Sequence, residues 1–181
     1  PVDKNWTDPS GSWKVTDGVR KETANADKCL SINDQKINSR HYIYSLQARK
    51  DGGNEGFLVV FNYKDAKNYA CWNVGGWRNT SNGIEICKDG ATYTVSSSRG
   101  SVETGQWYRL KVDVNGDSIK CYLNGQLINS TVLPPEQLLY QSAQIDVPKG
   151  KVFLKVVNPD AQSHTLRMDF KNMNVIGGQV L

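Results

Sequence analysis

Residues 107–128 read "WYRLKVDVNGDSIKCYLNGQLI", and this stretch indicates the fold class. Between 107 and 114 the apolar residues occupy the even positions and the polar residues most of the odd ones, which is the period of a strand with one buried face. Two Asn-Gly pairs, at 115–116 and 124–125, interrupt the alternation. An Asn-Gly pair between alternating segments is the strongest short-range hairpin signal. We therefore predict three consecutive antiparallel strands.

The remainder of the chain has the same character, because period-two segments recur between Gly, Asn and Asp turns. Further strands are predicted at 41–50, 56–63, 69–74, 84–88, 127–132, 151–157 and 165–170, the last two as a pair. The one helix candidate follows two prolines, at 136–140. These segments predict an all-β fold of two antiparallel sheets packed face to face, as a β-sandwich, in a single domain spanning residues 1–181.

The stretch "YACWNVGGWRNTSNGIE" at 69–85 is predicted to be a hairpin. If Val74 faces Ile84, an antiparallel register places Trp72 opposite Ile86, and both pairs are apolar. Trp72 is then a core residue. Gly75–Gly83 becomes a long loop that carries a second tryptophan away from the sheet.

The same register predicts the other face of this hairpin. It places Asn73 opposite Glu85 and Cys71 opposite Cys87. A cross-strand cysteine pair can oxidise but is often strained, so both the thiol and the disulfide states stay open. The four cysteines include no C-x-x-C pair and only two histidines accompany them, which argues against a zinc site.

Composition and motifs exclude several classes of function. The net charge of +4 comes from scattered Lys and Arg, without the basic stripe of a nucleic-acid-binding protein, and no apolar run has the length of a membrane span. The five glutamates fall in separate segments and form none of the E-x-D-x-E patterns that would set two carboxylates on one strand face. No nucleophile elbow or phosphate loop occurs. We therefore expect a non-catalytic domain without nucleic-acid or membrane partners.

One segment does combine the side chains of a sugar site. Sugar rings stack on Trp, and planar polar groups bind their hydroxyls, which is the pattern of a small-ligand site. The candidate ligand-binding residues are Asn73, Trp77, Arg78, Asn79 and Glu85, with Glu55 and Tyr42 as neighbours. The alternative is that Trp77 folds over the sheet edge and Arg78 pairs with Glu85. The sequence leaves the two interpretations open.

No cofactor is predicted apart from a structural calcium ion, which loops and a terminal aspartate hold in some sandwiches. The candidate carboxylates for calcium are Asp8, Asp17 and Asp169. The DGGNEG run at 51–56 lacks the alternating ligands of an EF-hand and is predicted to be an ordinary loop.

Segments 55–85 and 102–128 together resemble a concanavalin A-like, laminin-G-like jelly-roll module. The pattern N-x-GGW-x-NT-x₃-IE at 73–85 is the most specific part of the resemblance, and Cys71 departs from it because an aromatic residue is usual there. The module is most similar to the one carried within bacterial family 51 α-L-arabinofuranosidases, and it is related to the carbohydrate-binding modules of family 66.

The resemblance implies an accessory, carbohydrate-binding segment of a multidomain glycoside hydrolase whose catalytic glutamates lie on a separate barrel. The implied partners are an arabinose- or fructose-containing plant polysaccharide and that catalytic barrel, and the implied location is extracellular or periplasmic. Two alternatives remain: a stand-alone jelly-roll glycosidase or lyase, and a purely structural domain that packs on the barrel.

Overall fold

A computed structural model of the chain describes residues 4–24, 26, 28–133, 140–146 and 151–157, and for the last two ranges it describes the backbone alone. The chain divides into two compact units, Pro1–Leu133 and Pro134–Leu181, which are treated separately below. The elements of the described residues are, in chain order, β1 (Trp6–Thr7), β2 (Trp13–Thr16), β3 (Val19–Glu22), β4 (Ile32–Asn33), β5 (His41–Arg49), β6 (Phe57–Asp65), β7 (Asn68–Gly75), α1 (Gly76–Asn79), β8 (Ser81–Lys88), β9 (Ala91–Arg99), β10 (Trp107–Asn115), β11 (Ser118–Leu123), β12 (Gln126–Val132), β13 (Tyr140–Asp146) and β14 (Lys151–Val157).

Two four-stranded antiparallel sheets form the body of the first unit. One has the order β12-β11-β10-β5 and the other the order β6-β7-β8-β9. The hairpins predicted at the two Asn-Gly pairs are present, joining β10 to β11 and β11 to β12. In the second hairpin Asn124 and Gly125 both have positive φ, as a two-residue type I′ turn requires. The predicted all-β, two-sheet antiparallel sandwich is therefore confirmed.

The core lies between the inner faces of these sheets. The even positions of β10 contribute one side of it, from Tyr108 to Val114, and β7 and β8 contribute Trp72, Val74 and Ile84 to the other. Trp72 has no exposed surface. Its indole Nε1–H donates to Oδ1 of Asn129 on β12, at 2.9 Å, so the largest buried side chain also bonds the opposite sheet.

The predicted register of the 69–88 hairpin is wrong by two residues. Ile84 lies opposite Trp72 instead of Val74. The reason is that β7 extends to Gly75 and β8 begins at Ser81, so only residues 76–80 of the predicted loop Gly75–Gly83 form the turn. A shift of two residues leaves every side chain on its face, which is why the prediction that Trp72 is a core residue holds.

The shift does change the cysteine pairing. Cys71 lies opposite Glu85, and Cys87 lies opposite Tyr69. The two cysteines are therefore diagonal neighbours, whose Cα atoms are typically about 7–8 Å apart, at the limit of what a disulfide spans. Both thiols are unbridged.

Three predictions fall wholly or partly outside the described residues. Of the helix candidate 136–140 only Tyr140 is described, and it begins a strand. The described partner of β14 is β13, while segment 165–170 lies outside the described residues. The prediction of a single domain over residues 1–181 stays a prediction beside the two compact units.

The Trp72–Asn129 bond predicts the effect of Trp72→Phe on stability. Phenylalanine removes the indole N–H that donates to the buried amide oxygen of Asn129 and leaves a small cavity, so the free energy of unfolding should fall by about 2–4 kcal/mol. Urea unfolding measures the change. Trp107→Phe is the control, because Trp107 is 44% exposed and its replacement should cost less than about 1 kcal/mol. Equal losses for the two variants would contradict the central role of Trp72.

Candidate functional site

Six of the seven predicted ligand-binding residues meet at one end of the sheet that contains β7 and β8. They lie on the last residues of β7, on α1, on β8 and on the loop before β6: Asn73, Trp77, Arg78, Asn79, Glu85 and Glu55. The seventh, Tyr42, does not join them. Tyr42 is the second residue of β5 and is half-buried. Its hydroxyl donates to Oδ1 of Asn62 at 2.6 Å, and burial raises the pKa of the hydroxyl.

The turn between β7 and β8 has an unusual backbone. Gly75 has φ of 66°, and the three non-glycine residues Trp77, Arg78 and Asn79 follow with φ of 49°, 62° and 60°. Each non-glycine residue in this left-handed region costs roughly 1–2 kcal/mol. Three such residues within one turn persist only because neighbouring groups hold them.

Side chains from distant parts of the chain fix this turn. The Glu55 carboxylate accepts the backbone N–H of Arg78 at 2.8 Å. The Asn79 amide bonds both the carbonyl and the N–H of Val102, at 2.9 and 2.8 Å. Buried Asn82 accepts the N–H of Gly75 at 2.9 Å. Glu55 and Asn79 therefore position the turn, and their bonded atoms are not free for a ligand.

The indole of Trp77 packs against a glycine of the sheet. The nearest atoms that a Cβ on Gly83 would meet are Cη2 of Trp77 at 2.8 Å and the carbonyl oxygen of Ser96 at 2.9 Å. Gly83 is thus the position on β8 where the absence of a side chain lets the indole approach the sheet. Even so, 41% of Trp77 is exposed. The alternative that Trp77 folds over the sheet edge is partly right, because one side of the ring packs and the rest faces solvent.

Asn73 and Glu85 occupy the same outer face, as predicted, although the register differs. Nδ2 of Asn73 donates to Oε2 of Glu85 at 3.1 Å. The pairing of Arg78 with Glu85 is absent: among residues 4–133 of the described set, no carboxylate lies within salt-bridge distance of the Arg78 guanidinium. An exposed cation therefore stands beside the exposed indole.

Sequence reasoning missed two residues of this region. Asn82, 3% exposed, accepts the N–H of Gly75, and its amide packs so closely on Gly100 that a Cβ there would clash with it. Leu58 lies opposite Asn73 on β6 and is 55% exposed, which adds an apolar edge to the face. The doubled Asn of "NTSN" was a signal for turn-capping amides, whereas nothing local marked Leu58.

Cys71 shares the outer face but is almost completely buried. Burial raises the pKa of its thiol to about 12, with the neighbouring Glu85 and Cys87 adding to the shift. The thiol is thus neutral at any physiological pH. It serves as a small apolar residue beside the Asn73–Glu85 pair.

Two of the three calcium candidates, Asp8 and Asp17, lie within the described residues. Asp8 forms an ion pair with Arg20, and a hydrogen bond from Ser31 together with that guanidinium holds the pKa of Asp8 below its usual value. Asp17 lies in the turn between β2 and β3, and Asp169 lies outside the described residues. Within the described ranges no three His, Cys, Asp or Glu side chains form a group that could hold a metal ion. A structural calcium stays an untested prediction.

Comparison with known proteins identifies the family. Residues 2–176 match the model of the 3-keto-alpha-glucoside-1,2-lyase-like domain. The chain belongs to this domain family. It is also 37% identical, over 155 residues, to the extracellular exo-alpha-L-arabinofuranosidase of Streptomyces chartreusis. That alignment covers 84% of this chain and 19% of the relative, so the chain spans about a fifth of the length of the relative.

The solved structures include a match in fold. The carbohydrate-binding module CBM66 from Bacillus subtilis superposes with a TM-score of 0.60 at 23% identity, covering 71% of this chain and 79% of the module. At that identity the match supports the fold alone. The resemblance inferred from the 73–85 pattern is confirmed by these relatives. The described part of this 3-keto-alpha-glucoside-1,2-lyase-like domain contains no helix with the length and apolarity needed to cross a membrane.

The contact between Trp77 and Gly83 predicts the effect of Gly83→Ala. The new methyl group would lie where the indole now packs, so Trp77 should move outward and acrylamide should quench tryptophan fluorescence more strongly. Gly52→Ala is the matched control, since a Cβ there would meet nothing within 4 Å. If the extra quenching by Gly83→Ala persists in a Trp77→Phe background, the assignment of the contact is wrong.

Proposed function

We propose that this domain is a non-catalytic, carbohydrate-binding module of an α-L-arabinofuranosidase-type glycoside hydrolase. The observation that carries the proposal is the partly exposed indole of Trp77, which a strained turn holds in place. Beside it is the guanidinium of Arg78, which has no carboxylate partner within the described residues. A rigid aromatic ring that costs little entropy on binding is the usual anchor of a recognition site.

The polar groups suit the hydroxyls of a sugar. A pyranose or furanose ring presents an apolar C–H face, which packs on an indole, and hydroxyls at its rim, which need donors and acceptors. The guanidinium of Arg78 supplies donors. Glu85 is held by a bond to one carboxylate oxygen and keeps acceptor capacity at the other, and Asn73 retains its amide oxygen. The exposed Leu58 extends the apolar part of the platform.

The relatives support the context of this proposal. The arabinofuranosidase relative is about five times longer than the matched segment, as expected if the segment is one module of a larger enzyme. That relative is an extracellular enzyme, which supports an extracellular or periplasmic location here. The proposed ligand is an arabinose- or fructose-containing polysaccharide, and the catalytic barrel of the same enzyme is the proposed neighbour.

Trp77→Ala tests the proposal by affinity electrophoresis in gels containing arabinan, arabinoxylan or fructan. Removing the stacking ring should weaken binding by about 2 kcal/mol or more and abolish retardation of the band. The matched control is Tyr93→Ala, the truncation of another exposed aromatic residue, which lies on β9 and belongs to neither proposed site. It should be retarded like the wild type.

Stability decides between the proposal and a purely structural role. Trp77→Ala should lower the free energy of unfolding by no more than about 2 kcal/mol and leave the domain folded, because 41% of the residue is already in solvent and only the remainder packs on the sheet. A wild-type protein that is not retarded by any of the three polysaccharides, together with a large loss of stability in Trp77→Ala, would contradict the sugar site and favour a domain that only packs on its parent enzyme.

A lyase or glycosidase is the second candidate, because the description of the matching family names a lyase-like domain. The carboxylates that could act are Glu55 and Glu85, yet each already accepts a hydrogen bond within the turn or the sheet.

Activity assays separate the two candidates. We expect no new reducing ends and no unsaturated product when the wild type is incubated with arabinan, arabinoxylan, fructan or a 3-keto-glucoside. Product formation that is lost in Glu85→Gln would overturn the non-catalytic proposal. Product that persists in Glu85→Gln and disappears in Glu55→Gln would overturn it equally.

A further inference from the structure

The outer face of the sheet β12-β11-β10-β5 carries a second group of exposed aromatic and charged side chains. The even positions of β10 are buried, so its odd positions point outward with the odd positions of β5 and the even positions of β11. The cationic residues on this face are Arg49, Arg109, Lys111 and Lys120, and the one carboxylate among these strands is Asp113.

Two of the cations lie against aromatic rings. The guanidinium of Arg49 is 5.2 Å from the ring centroid of Trp107, and the ammonium of Lys111 is 3.8 Å from that of Tyr122. These contacts hold long side chains against the sheet and fix the ring orientation. Trp107 is nevertheless 44% exposed, and Ile43 on the same face is 56% exposed.

The positive charge of this face is only partly compensated. Arg49 forms an ion pair with Asp51 at 2.7 Å, and Asp113 lies 3.3 Å from His41. Within the described residues, Arg109, Lys111 and Lys120 have no carboxylate within salt-bridge distance. Three uncompensated cations on one sheet face favour an anionic ligand.

The aromatic and cationic side chains on the outer face of β10 lie in a straight row along the strand. Residues that alternate along a strand are about 6.7 Å apart, so Trp107, Arg109 and Lys111 form a row about 13 Å long on β10. Ser45 lies opposite Lys111, and Gln47 lies opposite Arg109, which adds hydroxyl and amide groups beside the cations. An extended chain whose units carry both hydroxyls and a carboxylate would match this row.

We propose that the outer face of the β12-β11-β10-β5 sheet, centred on Trp107, Arg109 and Lys120, binds a carboxylated polysaccharide, a polyuronate. A carboxylate on a sugar ring bonds Arg109 or Lys120, and the C–H face of a ring packs on Trp107. A nucleic acid fits less well, because Asp113 lies among the cations and the neutral neighbours suit hydroxyls. This site is separate from the Trp77 site, which lies on the other sheet.

Affinity electrophoresis of the full chain in gels containing polygalacturonate tests the proposal. The wild type should be retarded by polygalacturonate and not by its fully methyl-esterified form, which has the same backbone without the charge. Trp107→Ala, and separately the double variant Arg109→Gln/Lys120→Gln, should bind about tenfold more weakly. Lys14→Gln/Lys88→Gln has the same net charge as that double variant, changes exposed lysines on other strands, and should bind like the wild type.

Trp77→Ala separates this proposal from the first one. It should keep its retardation by polygalacturonate while losing that by neutral polysaccharide, and thermal unfolding confirms that each variant is folded. The proposal is overturned if polygalacturonate does not retard the wild type. It is also overturned if the Lys14→Gln/Lys88→Gln control loses as much affinity for polygalacturonate as the Arg109→Gln/Lys120→Gln variant. Equal retardation by single-stranded poly(dT), unaffected by Trp107→Ala, would overturn it in favour of unspecific attraction of polyanions.

Discussion

The hydrogen bond from the Trp72 indole to Asn129 joins the two sheets at the centre of the core. A buried indole contributes more apolar area than any other side chain here, but its N–H must be bonded, and the partner is an amide on the opposite sheet. Asn129 is itself buried, and its amide group lies 3.4 Å from the hydroxyls of Ser96 and Ser98 on β9. Strands β7, β9 and β12 are thus connected through Asn129. The buried position of Trp72 sets which residues of β7 face outward.

The outward-facing residues depend on that arrangement. With Trp72 inside, Asn73 must face outward, and the chain must then reverse directly after Val74 and Gly75. The reversal is made by residues in a left-handed conformation, and Glu55, Asn79 and Asn82 hold it in place. The strain is concentrated where Trp77 is presented to solvent. Backbone strain that neighbouring groups hold in place is typical of recognition sites. The need to hold this strained turn explains why so many polar residues of the 73–85 pattern form hydrogen bonds within the protein.

Much of the fold could be predicted from the sequence because strand periodicity is a local property. Alternation placed the even residues of β10 inside, and the apolar pairs of the hairpin placed Trp72 inside even with the register wrong by two. The register itself depended on where β8 begins. Nothing local showed this, because non-glycine residues such as Trp77 and Arg78 rarely adopt positive φ.

The sequence predicted which residues of the candidate site lie together better than it predicted what each of them does. Asn73, Trp77, Arg78 and Glu85 were found from side-chain chemistry and are indeed together. The positioning roles of Glu55 and Asn79 depend on contacts across 23 residues, and Tyr42 was misplaced because a strand's face does not show which end of the sheet it occupies. The cation-bearing face of the other sheet is likewise assembled across strands, so no single stretch of sequence indicated it.

The central claim is that the two tryptophans of one hairpin have opposite roles, Trp72 in the core and Trp77 at the ligand. The most direct test is to follow the five indole N–H signals by ¹⁵N NMR during titration with arabinan oligosaccharides, assigning each with a Trp→Phe variant. The account predicts that the Trp77 signal shifts with ligand concentration while the Trp72 signal stays fixed and slow to exchange with solvent. A shift of other indoles with Trp77 unchanged, or rapid exchange at Trp72, would contradict it.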